Sequence, residues 1–206
     1  MEQKGFCLWF TGLPCSGKTT VADALAEKLL KQGLRVERLD GDIVRKSLTR
    51  DLGFSRKDRD LNIERITFVS RLLSRNRVAT LVTFVSPYIA ARNKARKECT
   101  NFVEAFVDCP VEECEKRDVK GMYKKARAGI IKDFTGVDDP YEIPPNPELV
   151  LKTKDETVEE SVAICIAKLE ELGLIESPKE DLEEETNFSQ EDEEQIRKQL
   201  QSRSYL

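Results

Sequence analysis

The chain of 206 residues contains no histidine, and none of its six cysteines forms a C-x-x-C pair with another. A Cys/His zinc site is therefore excluded. Long apolar runs are also missing: no stretch approaches the ~20 residues needed to cross a bilayer, and the apolar segment at the amino terminus is too short for a secretory signal. We therefore expect a cytoplasmic protein with no membrane contact, in which most cysteines are small buried hydrophobic residues.

Dense clusters of lysine and arginine are absent too, which argues against a nucleic-acid partner. The net charge of −4 is unevenly distributed, since residues 176–206 contain ten acidic and four basic residues while residues 1–175 contain 30 basic and 28 acidic ones. The mildly basic body suits anionic ligands. The change in composition predicts one domain over residues 1–175, followed by an acidic C-terminal extension made of a linker and a short helix capped by Ser189.

Segments with the apolar content of buried strands alternate with helix-length segments along residues 1–175. Two amphipathic helices are predicted over residues 18–32 and 61–74, where apolar residues recur at helical spacing. Five strands are predicted at GFCLWFT, LRVERLD, VATLVTFV, FVEAFVD and PELVLKT. Strands separated by helices imply right-handed crossovers, so the sequence predicts an α/β fold with a parallel sheet and helices on both faces.

The segment GLPCSGKT, residues 12–19, lies between the first predicted strand and the first predicted helix. It matches G-x-x-x-x-G-K-[ST], in which the glycines let backbone N–H groups point at phosphate oxygens. Lys18 would bridge the β- and γ-phosphates, and Thr19 would ligate Mg²⁺. The motif therefore predicts nucleoside triphosphate binding by Gly12, Leu13, Pro14, Cys15, Ser16, Gly17, Lys18, Thr19 and Thr20.

Cys15 lies inside this phosphate loop, near a helix N-terminus, where a thiolate would be favoured. Two interpretations follow: a redox-sensitive thiol, or an inert loop residue. We favour the inert residue.

The phosphate loop does not identify the phosphate acceptor, so an ATPase motor, a GTPase and a small-molecule kinase are all open. The segment DVKG, residues 118–121, matches the D-x-x-G of GTPases, but it follows a helical stretch and the chain has no N-K-x-D guanine-binding motif. The carboxyl ends of the second and third strands carry DGDIVR, residues 40–45, and SPY, residues 86–88. Ligands gather at such ends, and two carboxylates beside Mg²⁺ can coordinate the metal or orient an incoming hydroxyl.

Many segments occur in the order and spacing of one family, from about Phe10 to Leu151. They are FTGLPCSGKTT, LDGD, DLGFS, DRDLNIERI, FVSPY, FVDCP, KGMYKKARAG, FTGVDDPYE and NPELVL. In these segments the chain resembles adenylylsulfate kinases. The resemblance implies a P-loop NTPase-type fold with a basic lid, and an enzyme that transfers the γ-phosphoryl of ATP to the 3′-hydroxyl of adenosine 5′-phosphosulfate in sulfate assimilation. It also implies Mg²⁺ as cofactor, a homodimer, and a separate ATP sulfurylase as a candidate partner.

The resemblance also implies roles for individual residues. Asp42 matches the residue beside the acceptor hydroxyl and Mg²⁺, so we expect Asp42 to orient or deprotonate that hydroxyl with Asp40 in support, and Lys18 to contribute to catalysis. Asp42 and Thr19 are the expected metal ligands. Ser86 matches a serine for which the family suggests a phosphoserine intermediate. Direct in-line transfer needs no such step, so we expect Ser86 and the backbone at Val85 to hydrogen-bond the substrate.

Further matching positions concern the two nucleotides. Phe54 and Phe134 match the phenylalanines that sandwich the acceptor adenine. The acceptor anion is expected to contact Arg45, Arg59 and Asn62. The lid is expected to close over the triphosphate with the basic residues Lys120, Lys124, Lys125 and Arg127, and Arg117 is expected to stack on the ATP adenine.

Four positions depart from the family's usual residues: Ile43, Lys46, Leu61 and Val119 stand where Asn, His, Glu and Pro are common. None of them carries an assigned chemical role. Two alternatives stay open at this point, a P-loop kinase for another small acceptor such as a nucleoside or sugar acid, and a catalytically silent regulatory module that binds nucleotide.

Overall fold

The computed structural model describes residues 2–176, which form five strands and seven helices. The strands are β1 (Phe6–Thr11), β2 (Val36–Asp40), β3 (Ala79–Thr83), β4 (Phe102–Val107) and β5 (Leu149–Leu151). The helices are α1 (Lys18–Lys31), α2 (Gly41–Val44), α3 (Arg56–Arg75), α4 (Ile89–Glu98), α5 (Val111–Lys116), α6 (Met122–Arg127) and α7 (Val158–Glu171). None of these helices, taken over the described part of the chain, has the length and apolar character to cross a membrane. The predicted C-terminal helix capped by Ser189 lies outside the described residues.

All five strands pair in parallel, in the order β2-β3-β1-β4-β5. The predicted α/β architecture is therefore confirmed. β1 lies at the centre, and all six of its residues are buried. A strand covered by helices on both faces has no solvent side, which explains why its sequence is almost continuously apolar.

The two faces of β1 contact different helices, since successive side chains along a strand point in opposite directions. Phe6, Leu8 and Phe10 belong to the core cluster that contains apolar residues of α1 and α7. Cys7 and Trp9 belong to the cluster that contains apolar residues of α3 and α4. The sheet is thus the middle layer of a three-layer sandwich.

Helix α3 begins five residues earlier than the predicted start at Leu61. Ser55 caps it by accepting a hydrogen bond from the backbone N–H of Asp58 at 3.2 Å. The additional first turn, residues 56–60, is charged rather than apolar, so the hydrophobic spacing does not reveal it.

Strand β3 ends at Thr83, two residues before the end of the predicted strand VATLVTFV. The chain leaves the sheet here, and Ser86 adopts a left-handed backbone conformation with φ 45°. Such a conformation is uncommon for a residue with a side chain, so the surrounding structure must hold this turn in place.

A buried arginine holds the end of β3. Arg92 of α4 is 1% exposed and forms an ion pair with Glu104 of β4 at 2.7 Å. Its other guanidinium nitrogens donate to the carbonyl oxygens of Ser86 and Glu142, both at 2.6 Å. The charge is therefore fully paired, and the network ties the turn after β3 to the segment around Glu142.

We expect Arg92→Ala to lower the free energy of unfolding by about 3–5 kcal/mol, because the buried Glu104 would keep only its longer ion pair with Arg96 at 3.2 Å and the carbonyls of Ser86 and Glu142 would lose their donor. Chemical denaturation monitored by circular dichroism measures the change. The matched control is Lys94→Ala on the same helix, which breaks an exposed ion pair with Glu64 and should change stability little. Equal losses in the two variants would contradict this role for Arg92.

Candidate active site

A cavity of about 940 Å³ opens at the carboxyl ends of the strands. Its wall includes most of the residues that the sequence predicts for the site: Pro14, Cys15, Ser16, Gly17, Lys18, Thr19, Thr20, Asp40, Asp42, Arg45, Phe54, Arg59, Asn62, Val85, Ser86, Arg117, Lys120 and Phe134. The phosphate loop and the predicted acceptor residues therefore share one continuous space.

The phosphate loop requires glycine at its first position. Gly12 has φ 151°, and a Cβ atom there would lie 2.6 Å from the carbonyl oxygen of Val107. Gly17, with φ 98°, precedes the first residue of α1. The loop thus curls tightly at the end of β1 and leads directly into a helix N-terminus, an arrangement that favours bound phosphate.

Lys18 is buried beneath this loop. Its Nζ donates to the carbonyl oxygens of Gly12 at 3.0 Å and Leu13 at 2.6 Å, and to Ser16 Oγ at 3.3 Å. Removal of the ammonium from water lowers the pKa of Lys18 to about 8. Because the lowered pKa reflects the cost of burying an unneutralised charge, an anion at this position should favour the protonated form.

Asp40 organises the end of β2. Its Oδ2 accepts hydrogen bonds from the hydroxyls of Thr19 at 2.9 Å and Thr83 at 2.8 Å, and its Oδ1 accepts one from the backbone N–H of Asp42 at 2.9 Å. Burial by itself raises the pKa of Asp40, but these hydrogen bonds outweigh it and the net pKa is lowered. Asp40 is therefore an ionised carboxylate that orients Thr19, while Asp42 projects into the cavity.

Asp42 and Lys120 form an ion pair across the cavity, between α2 and the segment before α6. Both side chains are exposed to solvent in the cavity. The hydrogen bond to Asp42 raises the pKa of Lys120. The basic lid segment thus reaches the carboxylate that the sequence predicts to act on the acceptor hydroxyl.

The two phenylalanines differ in exposure. Phe54 is 55% exposed, and the Arg45 guanidinium lies over its ring, 4.3 Å from the centroid. Phe134 is only 8% exposed and packs in a small cluster with Tyr123. Both rings line the cavity, so each has an accessible part toward the same space.

The three residues predicted to contact the acceptor anion differ in their hydrogen bonding: two donate to backbone carbonyls, and the third has a polar atom without a partner among the described residues. Arg45 donates to the backbone carbonyls of Leu52 and Gly53, and Arg59 donates to those of Phe54 and Asp133. The two arginines therefore support the loops that carry the phenylalanines, in addition to lining the cavity. The Oδ1 atom of Asn62 is buried and has no hydrogen-bond partner in the described part of the chain, which leaves it available to a ligand donor.

The Ser86 hydroxyl points into the protein core. Its Oγ accepts a hydrogen bond from Trp9 Nε1 at 2.9 Å and donates to the carbonyl oxygen of Phe84 at 3.3 Å. Both functions of the hydroxyl are thus used internally, and the residue is buried. Ser86 and Val85 contribute to the wall of the cavity at the end of β3.

Cys15 does not have the predicted thiolate-stabilising environment. Burial, followed by the nearby Asp118 carboxylate, raises the pKa of its thiol, and Lys18 offsets this only in part. The inert interpretation is therefore favoured over the redox one.

Asp118 explains the D-x-x-G match. Its carboxylate accepts hydrogen bonds from the backbone N–H groups of Met122 and Lys124, at the start of α6. Gly121, with φ 63°, forms the turn before the helix. The DVKG segment is therefore a helix start, and its match to the D-x-x-G motif of GTPases is explained by this structural role.

Other lid residues lie in different places. Arg117 lines the cavity and donates to the carbonyl oxygen of Thr153 at 2.8 Å. Arg127 is not part of the cavity wall, because its guanidinium pairs with Glu115 on the exposed side of α6. Lys124 and Lys125 are exposed on the same helix.

One wall of the cavity is absent from the sequence-based prediction. It is formed by residues after β5, namely Thr153, Glu156, Thr157, Val158 and Ser161. Thr153 contacts the phosphate loop directly, since its hydroxyl donates to the carbonyl oxygen of Ser16 at 2.7 Å. The sequence could have indicated this wall, because Thr153 is the last residue of the predicted strand PELVLKT and the residues after it lie at the edge of the sheet where ligands gather.

We expect the affinity for ADP to fall as the pH rises above about 8. Lys18 is charged below its pKa, and bound phosphate raises that pKa, so binding above pH 8 requires proton uptake and weakens by up to about tenfold per pH unit. Calorimetric titrations between pH 7 and 9.5 measure this effect.

Lys18→Arg is the control, because a guanidinium stays charged over this range. Its affinity for ADP should be independent of pH, whatever its absolute value. A pH-independent affinity in the unaltered protein would contradict the assignment.

Comparison with known proteins agrees with the geometry of the cavity. The family model for adenylylsulphate kinase matches residues 4–152. A probable adenylyl-sulfate kinase from Pseudomonas aeruginosa is 61% identical over 168 residues, which cover 82% of this chain and 78% of that relative. An adenylyl-sulfate kinase from Picosynechococcus sp. is 56% identical over 175 residues, which cover 85% of this chain and 99% of that relative.

A solved structure gives the same result. The APS kinase from Mycobacterium tuberculosis in complex with AMPPNP and APS matches with a TM-score of 0.79 and 44% identity, over 82% of this chain and 99% of that chain. The extent of the family match, the identity of the relatives and the shared fold lead to one conclusion: this chain belongs to the adenylylsulphate kinase family.

Proposed function

We propose that this chain transfers the γ-phosphoryl of ATP to the 3′-hydroxyl of adenosine 5′-phosphosulfate, giving ADP and 3′-phosphoadenylyl sulfate. The observation that carries the proposal is the continuity of the cavity. The phosphate loop with Lys18, the carboxylate of Asp42 and the rings of Phe54 and Phe134 all line this one space. A phosphoryl donor and a nucleotide acceptor bound in it together would have their reacting groups close to each other.

On the donor side, the loop residues from Gly12 to Thr20 hold the triphosphate through backbone N–H groups and Lys18. Arg117 and the segment around Thr153 form the adjacent wall, where the ATP adenine is expected to lie. Of the predicted donor contacts, Arg127 could act only after a movement of α6, because it pairs with Glu115.

The oxygen atoms of Thr19 and Asp42 suit Mg²⁺, which prefers hard ligands. Within residues 2–176 no three Cys, Asp or Glu side chains are grouped to hold a metal by themselves. This agrees with an ion that is held by one or two protein oxygens together with nucleotide phosphates. Bound there, Mg²⁺ would neutralise charge on the transferring phosphoryl group.

On the acceptor side, the adenine lies against Phe54 and Phe134, and Asn62, Arg45 and Arg59 face the phosphosulfate. Asp42 orients the 3′-hydroxyl and accepts its proton. A bond forms between the 3′-oxygen and the γ-phosphorus as the bond to the β-phosphate oxygen breaks. As the lid closes, Lys120 leaves its ion pair with Asp42 and contacts the phosphates of ATP instead. Its positive charge then stabilises the transferring phosphoryl group in the transition state.

Ser86 positions the turn after β3 and forms no phosphoserine. Its hydroxyl is held by Trp9 and by the carbonyl of Phe84, and among residues 2–176 no carboxylate is hydrogen-bonded to it as a base would be. Phosphoryl transfer is therefore direct. The homodimer, the separate ATP sulfurylase and the cytoplasmic location stay predictions from the sequence.

The proposal is tested by ADP release from ATP with and without adenylyl sulfate. The unaltered protein should release ADP only with the acceptor, and Asp42→Ala should lower kcat by about 10²–10³-fold through loss of the group that orients the hydroxyl. Asp51→Ala, which removes an exposed acid outside the cavity, is the control and should retain full activity. A rate indifferent to adenylyl sulfate, or activity only with a sugar acid or nucleoside, would reject the proposal.

We expect Ser86→Ala to retain activity within about tenfold of the unaltered protein, because the side chain only supports a wall of the site. Incubation with γ-labelled ATP should give no acid-stable label on the unaltered protein. Covalent label that disappears in Ser86→Ala, together with a complete loss of turnover, would show instead that the phosphoserine route operates.

A further inference from the structure

One buried side chain connects the phosphate loop to the acceptor-base site. Tyr123 of α6 is 1% exposed, and its Oη donates a hydrogen bond to the carbonyl oxygen of Pro14 at 3.1 Å. Pro14 lies in the middle of the phosphate loop. Water cannot easily replace a hydrogen bond at this depth, so the contact constrains the loop more than a surface contact would.

The ring of the same tyrosine contacts the acceptor side. The centroids of Tyr123 and Phe134 are 5.0 Å apart, and the rings meet edge to face at 76°. Edge-to-face aromatic pairs have a defined geometry. A displacement of Tyr123 therefore changes the position of the Phe134 ring as well.

The segment that carries Phe134 has a second contact with the phosphate loop. A Cβ atom at Gly136 would lie 2.8 Å from Cδ2 of Leu13, so Leu13 packs directly on this glycine. Asp138 accepts hydrogen bonds from the backbone N–H groups of Asp133 and Phe134. Residues 133–138 are thus internally tied and would move together.

Binding of a nucleotide would change the bonding of this part of the loop. Lys18 Nζ donates to the carbonyl oxygens of Gly12 and Leu13 and to Ser16 Oγ, so its three N–H donors are all in use and it would have to leave at least one of these acceptors to contact phosphates. Those carbonyls immediately precede Pro14, whose carbonyl holds Tyr123. The loop would therefore have a second bonding arrangement when a nucleotide is bound, and Tyr123 is hydrogen-bonded to the residue next to the point of change.

We infer that Tyr123 is a positioning residue that couples the two halves of the site: it transmits the state of the phosphate loop to Phe134, so that a bound donor nucleotide strengthens binding of the acceptor nucleotide. This role rests on the proposed function, because it needs an acceptor base at Phe134. Tyr123 itself does not line the cavity and has no part in the chemical step.

The test is the dissociation constant of adenylyl sulfate with and without saturating ADP, measured by calorimetry so that no turnover occurs. In the unaltered protein ADP should tighten acceptor binding on the order of tenfold, and adenylyl sulfate should tighten ADP binding by the same factor. Tyr123→Phe removes only the hydroxyl. It should reduce both factors to less than about twofold, while each ligand alone binds within about threefold of the unaltered protein.

Tyr88→Phe is the matched control. Tyr88 is also buried, and its hydroxyl donates to the Asp139 carboxylate, beside the same segment but away from the phosphate loop. Its removal should leave the coupling factor unchanged. A loss of coupling in Tyr88→Phe equal to that in Tyr123→Phe would overturn the inference, since any disturbance near residues 133–139 would then suffice.

The remaining outcomes are also decisive. Coupling absent from the unaltered protein, or retained in Tyr123→Phe, overturns the inference and leaves the proposed function intact. If Tyr123→Phe no longer binds ADP but binds adenylyl sulfate as the unaltered protein does, the tyrosine only supports the phosphate loop and the inference is overturned. Failure of adenylyl sulfate to bind any variant under any condition removes the proposed function as well. If Tyr123→Phe does not fold, Tyr123→Leu, which also removes the hydroxyl and the edge-to-face contact with Phe134, is measured instead, and an unchanged coupling factor there overturns the inference.

Discussion

The close approach of the main chain at the end of β1 determines where every other part of the site lies. Gly12 turns the chain against the carbonyl oxygen of Val107 on the neighbouring strand, where a side chain would not fit. The loop that follows is held against the sheet and leads directly into α1, so its backbone N–H groups lie beside the N-terminus of that helix. Lys18, Asp40 and Thr19 then meet at a fixed place because β1 and β2 end at the same edge of the sheet.

The turn after β3 is held opposite this loop by contacts from beneath the site. Arg92 supports its carbonyls, and Trp9 binds the Ser86 hydroxyl. Thr11, the last residue of β1, donates to the carbonyl oxygen of Val85 at 2.8 Å. The strain of a left-handed serine is therefore offset by several hydrogen bonds, which gives the acceptor wall a defined position relative to the donor wall.

The cations of the cavity are hydrogen-bonded to oxygen atoms of the protein, and these bonds have a mechanistic consequence. Lys18 binds backbone carbonyls, Lys120 binds Asp42, and Arg59 binds the loops on either side of it. In the proposed reaction each cation would exchange a protein oxygen for a ligand oxygen. The exchange would keep the cations hydrogen-bonded, and it would link the arrival of either nucleotide to a rearrangement of the loop or lid that it contacts.

The sequence by itself determined the phosphate loop, the alternating strands and helices, and the importance of the ends of strands two and three. These features are local: eight contiguous residues form the loop, and the apolar character of a buried strand is visible within six residues. The resemblance to one family extended this to Asp42, Phe54 and Phe134. The order of the strands, the inward orientation of the Ser86 hydroxyl, the wall after β5, and the link from Pro14 through Tyr123 to Phe134 were decided only by the tertiary structure. They depend on contacts between residues far apart in the chain, such as the 109 positions that separate Pro14 from Tyr123, and no local pattern of residues encodes which distant partner a buried side chain will find.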